Sequence, residues 1–410
     1  MKKLSLLPLL LGISLACLHA ADNATPTPKP AVKLSSHPNP DDMHELAIGD
    51  SAPDFSLPGI DGLTHTLAEY KEPKVLVIAF ISNHCPDSHA AEGRIKKLVE
   101  DMKGKSFQLV AINPNNPEGL SIDELGYSKY DDGPEDMKKY AKEAGFTFPY
   151  LYDGEKQAIA KAYGCLATPH IFIFDAERKL RYKGQFDDSR FADPATVKSQ
   201  DARNAVEAMF AGQPVPVAIT KPHGCSTKWL LKKALIAEQT EKWDKTPVDI
   251  ENIDAAGVEA LRKNGTKKVR LFNVWSTTCG PCVAEFPELV KTARKFDMRD
   301  FQFISISTDD PQDVDKAKAF LEKRGAGESG RAKNALKAEG RKTNSYLYSG
   351  ANANDLMKAL DPEWPGGFPH TVLVGTNGEI LWRHNGPVDG DELRDKVFAT
   401  LGGYYVPEKK

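Results

Sequence analysis

Residues 269–286 read VRLFNVWSTTCGPCVAEF: an apolar run, a short polar turn, then two cysteines at the head of a new periodic segment. Val269–Trp275 is almost continuously apolar, as expected of a strand buried on both faces. From Val283 to Phe296, the residues Val283, Phe286, Leu289, Val290, Ala293 and Phe296 recur at helical spacing. Cys279 and Cys282 therefore stand where a strand hands over to a helix. A sulfur at a helix N-terminus meets unpaired N–H groups and the positive end of the helix dipole, and both favour the thiolate. Cys279 is the expected nucleophile, and Cys282, one turn on, the resolving thiol that attacks a mixed disulfide. Pro281 suits the first turn, because its ring presets the helical φ and it lacks an N–H that would go unpaired there. No second closely spaced Cys or His pair follows, so no metal site is expected.

Working outward, Phe301–Ser307 reads as the next strand, and Thr371–Val374 with Glu379–Arg383 as a hairpin around Asn377 and Gly378. The same order occurs earlier in the chain. Val75–Ile81 is a buried strand; Ile95, Leu98, Val99 and Met102 line a helix; Phe107–Ile112 is a second strand; Ile171–Phe174 and Leu180–Lys183 form a late hairpin. The residues agree as well as the pattern: SFQLVAIN at 106–113 matches DFQFISIS at 300–307, and Pro169-His170 matches Pro369-His370. Two copies of one α/β fold, each a central mixed sheet flanked by helices, account for this. The expected division is an export signal at 1–20, a flexible tether at 21–45, a first domain at 46–212, a connection at 213–250 and a second domain at 251–405.

A chain of 410 residues exceeds what one core comfortably serves. With 54 basic against 57 acidic residues and no long basic run, nucleic acid is not an expected partner. Lys2 and Lys3 precede an apolar run from Leu4 to Leu15, with Ala20 as the cleavage point, which points to export into the bacterial cell envelope, the periplasm included. Cleavage after Ala16 would instead leave Cys17 at the new N-terminus for a lipid anchor; Ser14 argues against it. Without Cys17 five cysteines remain, Cys85, Cys165, Cys225, Cys279 and Cys282, an odd number that favours redox work over a stapled scaffold.

The WSTTCGPC stretch, Glu285-Phe286-Pro287 and Phe368-Pro369 together resemble the thioredoxin superfamily, and within it the exported TlpA-like branch. The resemblance implies two thioredoxin-like folds and no cofactor. It implies a cis Pro369 packed against the redox pair, with backbone at Phe368 able to pair with a substrate segment. Glu285 would tune or relay protons for the thiols; a merely solvated helix residue is the alternative. Thr278 departs from thioredoxin, which has Trp there.

The first half, through GDSAPDFSLPGIDG at 49–62, NHCP at 83–86, TPH at 168–170 and GCSTKW at 224–229, resembles the redoxin group related to alkyl hydroperoxide reductases, thiol-specific antioxidants and peroxiredoxins. This resemblance puts Cys85 at the nucleophile position, Ser88 in place of its resolving partner and Pro169 on the substrate side. His84 and His89 flank Cys85. Cys165 or Cys225 would resolve it, or those two would form a static bridge. The half departs from the group at Ser82, where members often have Cys, and from peroxiredoxins at Ile78, where they have Pro. Three functions follow as expectations: exchange with protein thiols and disulfides, with electrons from a membrane or soluble thiol reductant; reaction of Cys85 with peroxides, the second domain reducing it; or a first domain that only holds clients.

Overall fold

The computed structural model describes residues 39–406. The export signal, the Cys17 alternative and the tether up to residue 38 lie outside the described residues.

Two mixed sheets flanked by helices form two lobes. In the first, the strand order is Tyr150–Tyr152, Phe107–Asn113, Val75–Phe80, His170–Phe174, Leu180–Gly184; the first three are parallel, and His170–Phe174 is antiparallel to both its neighbours. The central strand Val75–Phe80 is buried throughout. Its period-2 alternation sends Val75, Val77 and Ala79 into a core with Ile95 and Leu98, and Leu76, Ile78 and Phe80 into a second core with Tyr163 and Trp229. An unbroken apolar run is what a strand covered on both faces requires.

The second lobe repeats this with one more edge strand: Glu251–Ile253, Ser345–Tyr348, Phe301–Ser307, Val269–Trp275, His370–Val374, Ile380–Asn385. Leu271 and Trp275 face the helix Gly280–Lys295, while Phe272 and Val274 face the opposite core. The helix starts three residues before its apolar periodicity does, so the Cys-Gly-Pro-Cys tetrad belongs to its cap and first turn rather than to a preceding loop. Pro281 explains why the sequence pattern lags: it presets the first turn, in which only Cys282 is buried.

The 213–250 connection is divided between the lobes. Cys225–Ser226 pairs antiparallel with Ala167–Thr168, and Trp229 is buried in the first lobe with its Nε1 on Asn39 Oδ1 at 3.2 Å. The Lys-rich segment continues as a helix, Lys233–Asp244, whose Trp243 donates to Gly327 O at 3.0 Å in the second lobe.

The lobes meet at the C-terminal end of the Gly280–Lys295 helix, which abuts the 3-10 turn Ile122–Tyr127 of the first lobe. Gly126 is needed there, since a Cβ would sit 2.7 Å from Lys295 O. Arg299 places its guanidinium 3.9 Å from the Tyr127 ring centre and donates to the carbonyls of Gly126, Leu401 and Gly402. The segment after the last helix lies against the first lobe as well: Gly403 O meets His89 Nδ1 at 3.1 Å, and the Tyr405 ring lies beside Arg190 and Tyr127.

Candidate functional site

Cys279 caps the Gly280–Lys295 helix in an extended conformation, and its Sγ accepts from Cys282 N–H at 3.3 Å. The two cysteines are joined as a disulfide. Cys279 is half-buried, flanked by exposed Thr278 and Gly280, whereas Cys282 is fully buried. This asymmetry follows from the fold: the cap residue projects at the end of the sheet, and the residue one turn later points into the core with Trp275 and Phe286. An attacking or attacked sulfur needs access, and a resolving one needs only its neighbour.

Glu285 lies one further turn along and is buried, which removes the solvated alternative. Its Oε1 accepts from Asn273 Nδ2 at 2.8 Å and its Oε2 from Val388 N–H at 2.7 Å. Burial outweighs these two bonds and raises its pKa to about 6. Asn273 is a residue that sequence reasoning passed over. A single Asn inside the run VRLFNVW was the available signal, because a buried amide must find partners and here it finds Glu285 and Thr371.

Pro369 follows a cis peptide bond and is buried; Phe368 before it is 40% exposed. Among the described residues, neither backbone group of Phe368 has a hydrogen-bond partner. Trp364, stacked on His370, supports this loop and donates to Gly367 O at 3.1 Å.

The first lobe repeats the plan with different contents. Cys85 caps the helix Pro86–Asp101 and is fully buried. Pro169, like Pro369, follows a cis bond. Cys85 Sγ contacts Thr168 O at 2.9 Å and accepts from Cys225 N–H at 3.4 Å. The Sγ atoms of Cys85 and Cys225 and a carboxylate oxygen of Asp87 lie within 4.8 Å of one another. Those three side chains are donors that a soft metal accepts, but both Asp87 oxygens are taken by Arg190, at 2.7 and 2.9 Å. Burial and the Asp87 charge oppose ionisation of Cys85; the Cys225 thiol, the His84 charge and the Cys225 N–H favour it and prevail, bringing its pKa down to about 5. Cys225 moves the opposite way, because its thiol donates to Cys85 and burial disfavours its anion. The two sulfurs thus divide one proton between them, with Cys85 ionising first.

Of the two histidines beside Cys85, only His84 serves the thiol. Its Nδ1 meets Asp132 Oδ2 at 2.5 Å, and Asp132 is fixed in turn by Asn83 N–H, Asn113 and Asn115. Asp132, in a loop some distance away in sequence, gave no sign of this role. His89 turns instead to Gly403 of the second lobe and to Asn83 O.

Cys165 is elsewhere. It is buried in the core of Leu76 and Phe80, contacts Ala167 O at 3.4 Å, and its thiol is pushed up to about 12 by burial. Cys165 and Cys225 are both free thiols, not the static bridge that was one expectation. The register explains it: Cys225 faces Thr168, three residues along from Cys165, about 10 Å in an extended strand and beyond disulfide reach.

Comparison with known proteins gives two family matches: residues 48–183 match the AhpC/TSA family and residues 257–399 match Redoxin. The thiol-disulfide oxidoreductase ResA of Geobacillus thermodenitrificans is 25% identical over 136 residues, covering 33% of this chain and 68% of that protein. Peroxiredoxin Bcp of Escherichia coli K12 is 25% identical over 158 residues, covering 36% of this chain and 88% of that protein. A solved structure of a hypothetical protein from Sinorhizobium meliloti 1021 is 37% identical and covers 46% of this chain and 97% of its own, with a TM-score of 0.41.

Proposed function

This chain belongs to the thioredoxin superfamily, with an AhpC/TSA and a redoxin domain in tandem, and from that premise we propose that its second domain exchanges disulfides with exported proteins through Cys279 and Cys282. The observation that carries the reading is the pairing of an accessible cap sulfur with a buried partner beside an unfilled backbone edge at Phe368.

In the reducing direction, the Cys279 thiolate attacks a client disulfide; a Cys279–client bond forms and the client's other sulfur leaves as thiolate. Cys282, losing its proton, then attacks Cys279 sulfur, the client leaves as a dithiol, and the Cys279–Cys282 disulfide remains. Glu285, one turn from Cys282 and poised near neutral pH, is the group able to take that proton. The client segment pairs with the Phe368 edge. A membrane or soluble thiol reductant restores the dithiol. Export, supported by Lys2, Lys3 and the Leu4–Leu15 run, places the reaction in the cell envelope. Measuring the potential of the pair tests the direction: about −270 mV is expected of a reductant, and about −120 mV would make the domain a donor of disulfides.

A second reading has its own support. Cys85 is acidified inside an AhpC/TSA domain, which fits a thiol that reacts with peroxides. Stopped-flow reaction with peroxide, compared with free cysteine, tests it. The client-platform reading is weaker, because the edge that would hold a client, Ala167–Thr168, is filled by the chain's own Cys225–Ser226.

A further inference from the structure

The first lobe differs from the second at the place where a substrate segment would dock. In the second lobe the backbone of Phe368, just before the cis proline, is open; in the first, Thr168 pairs with Cys225, and a cysteine sulfur arrives beside the capping nucleophile. Gly224 makes this possible. Its φ is +137°, and a Cβ there would sit 2.0 Å from Thr168 O. Lys228 and Trp229 anchor this strap, residues 224–229: Lys228 N donates to Asn115 Oδ1 at 2.8 Å, Lys228 pairs with Glu124, and Trp229 fills the core. The strap therefore mimics a docked substrate, with Cys225 in the position of the substrate's cysteine.

We propose that Cys85 and Cys225 form a second redox pair, in which Cys225 supplies the resolving sulfur that Ser88 cannot, and in which the docked strap restricts Cys85 to a small hydroperoxide in place of an extended polypeptide. The choice of oxidant rests on the peroxide reading above; the pairing does not. The Cys85 thiolate attacks the terminal oxygen of the hydroperoxide. An S–O bond forms as the O–O bond breaks, and the leaving oxygen takes up the proton that Cys85 released, giving an alcohol or water. The Cys225 sulfur then displaces the hydroxyl from Cys85, forming the disulfide and a second product water. A dithiol reductant returns both sulfurs to thiols by exchange.

The test uses the full chain carrying Cys279→Ser and Cys282→Ser, so that the other pair is silent, fully reduced and then treated with one equivalent of hydrogen peroxide. Peptide mapping is expected to find a Cys85–Cys225 link. Adding Cys165→Ala should leave the link in place. Adding Cys225→Ser, or Cys225→Ala as a second variant, should abolish it and leave a Cys85 sulfenic acid that dimedone captures. A link from Cys165 to either cysteine in place of Cys85–Cys225 overturns the pairing. A parallel sample receives glutathione disulfide: should this give the Cys85–Cys225 link while peroxide leaves every thiol intact, the hydroperoxide assignment falls and the pairing stands. Should neither oxidant give the link, the pairing falls.

Discussion

The two lobes place a cysteine at the same helix cap and a cis proline on the same neighbouring strand, yet one edge is open and the other is closed by the chain itself. In the second lobe the nucleophile's partner is three residues away, on the same helix. In the first it is 140 residues away, on a strap. A local partner leaves the docking edge free for other molecules; a remote partner delivered on a strand occupies that edge. The chemistry at sulfur is shared, and access separates the two sites.

The sharpest way to break this comparison is to remove the sulfurs in turn. Cys279→Ser should reduce turnover of insulin disulfides to background, and Cys282→Ser should accumulate mixed disulfides with clients on a non-reducing gel. Cys225→Ser should accumulate none, since its nucleophile stays buried. Next in size, Gly224→Ala puts a methyl group into Thr168 O and should release the strap, costing about 1–3 kcal/mol in urea unfolding and exposing Cys85 to maleimide.

Glu285→Gln sharpens the contrast on the open side. The native pKa of about 6 lies above the usual 4.5, so the folded chain holds a proton that the unfolded chain releases. Stability from this group is present below about pH 4.5 and lost as pH rises through about 6, a fall of about 2 kcal/mol. The variant should lack that slope in unfolding measured from pH 4 to 8, because an amide does not titrate there, and Asn273 can turn its unpartnered Oδ1 toward it to keep the fold. The smallest effect is expected from Arg299→Ala, which removes a guanidinium from Tyr127 and three carbonyls between the lobes; about 1–2 kcal/mol should go from thermal unfolding, with the Cys279–Cys282 potential unchanged.

What the sequence revealed follows the same division. The second-lobe site was legible because its parts are close in sequence or marked by motif: the tetrad, Glu285 at helical spacing, Phe368-Pro369. The repeat was legible because a buried central strand imposes an apolar run wherever it occurs. The first-lobe partner was legible only as a choice between Cys165 and Cys225, because a two-residue ladder between 167–168 and 225–226 has no periodicity to read, and its register alone decides that Cys225 and not Cys165 meets Cys85. Asp132 was hidden for a similar reason, its value coming from three distant asparagine groups and His84. Gly224 next to Cys225 was the one local clue, since a positive φ beside a cysteine marks a strand brought in close.

The Gly280–Lys295 helix is gripped at one end and reactive at the other. Sixteen residues at helical rise span about 24 Å, so the tetrad is held well away from the surface that clasps the first lobe. A sulfur mounted on such an arm is not expected to exchange directly with Cys85 while the clasp of Arg299 and Tyr127 holds. Traffic between the two centres, where it occurs, then runs through a shuttle in solution or between separate copies of the chain, and its rate would scale with concentration instead of staying constant on dilution.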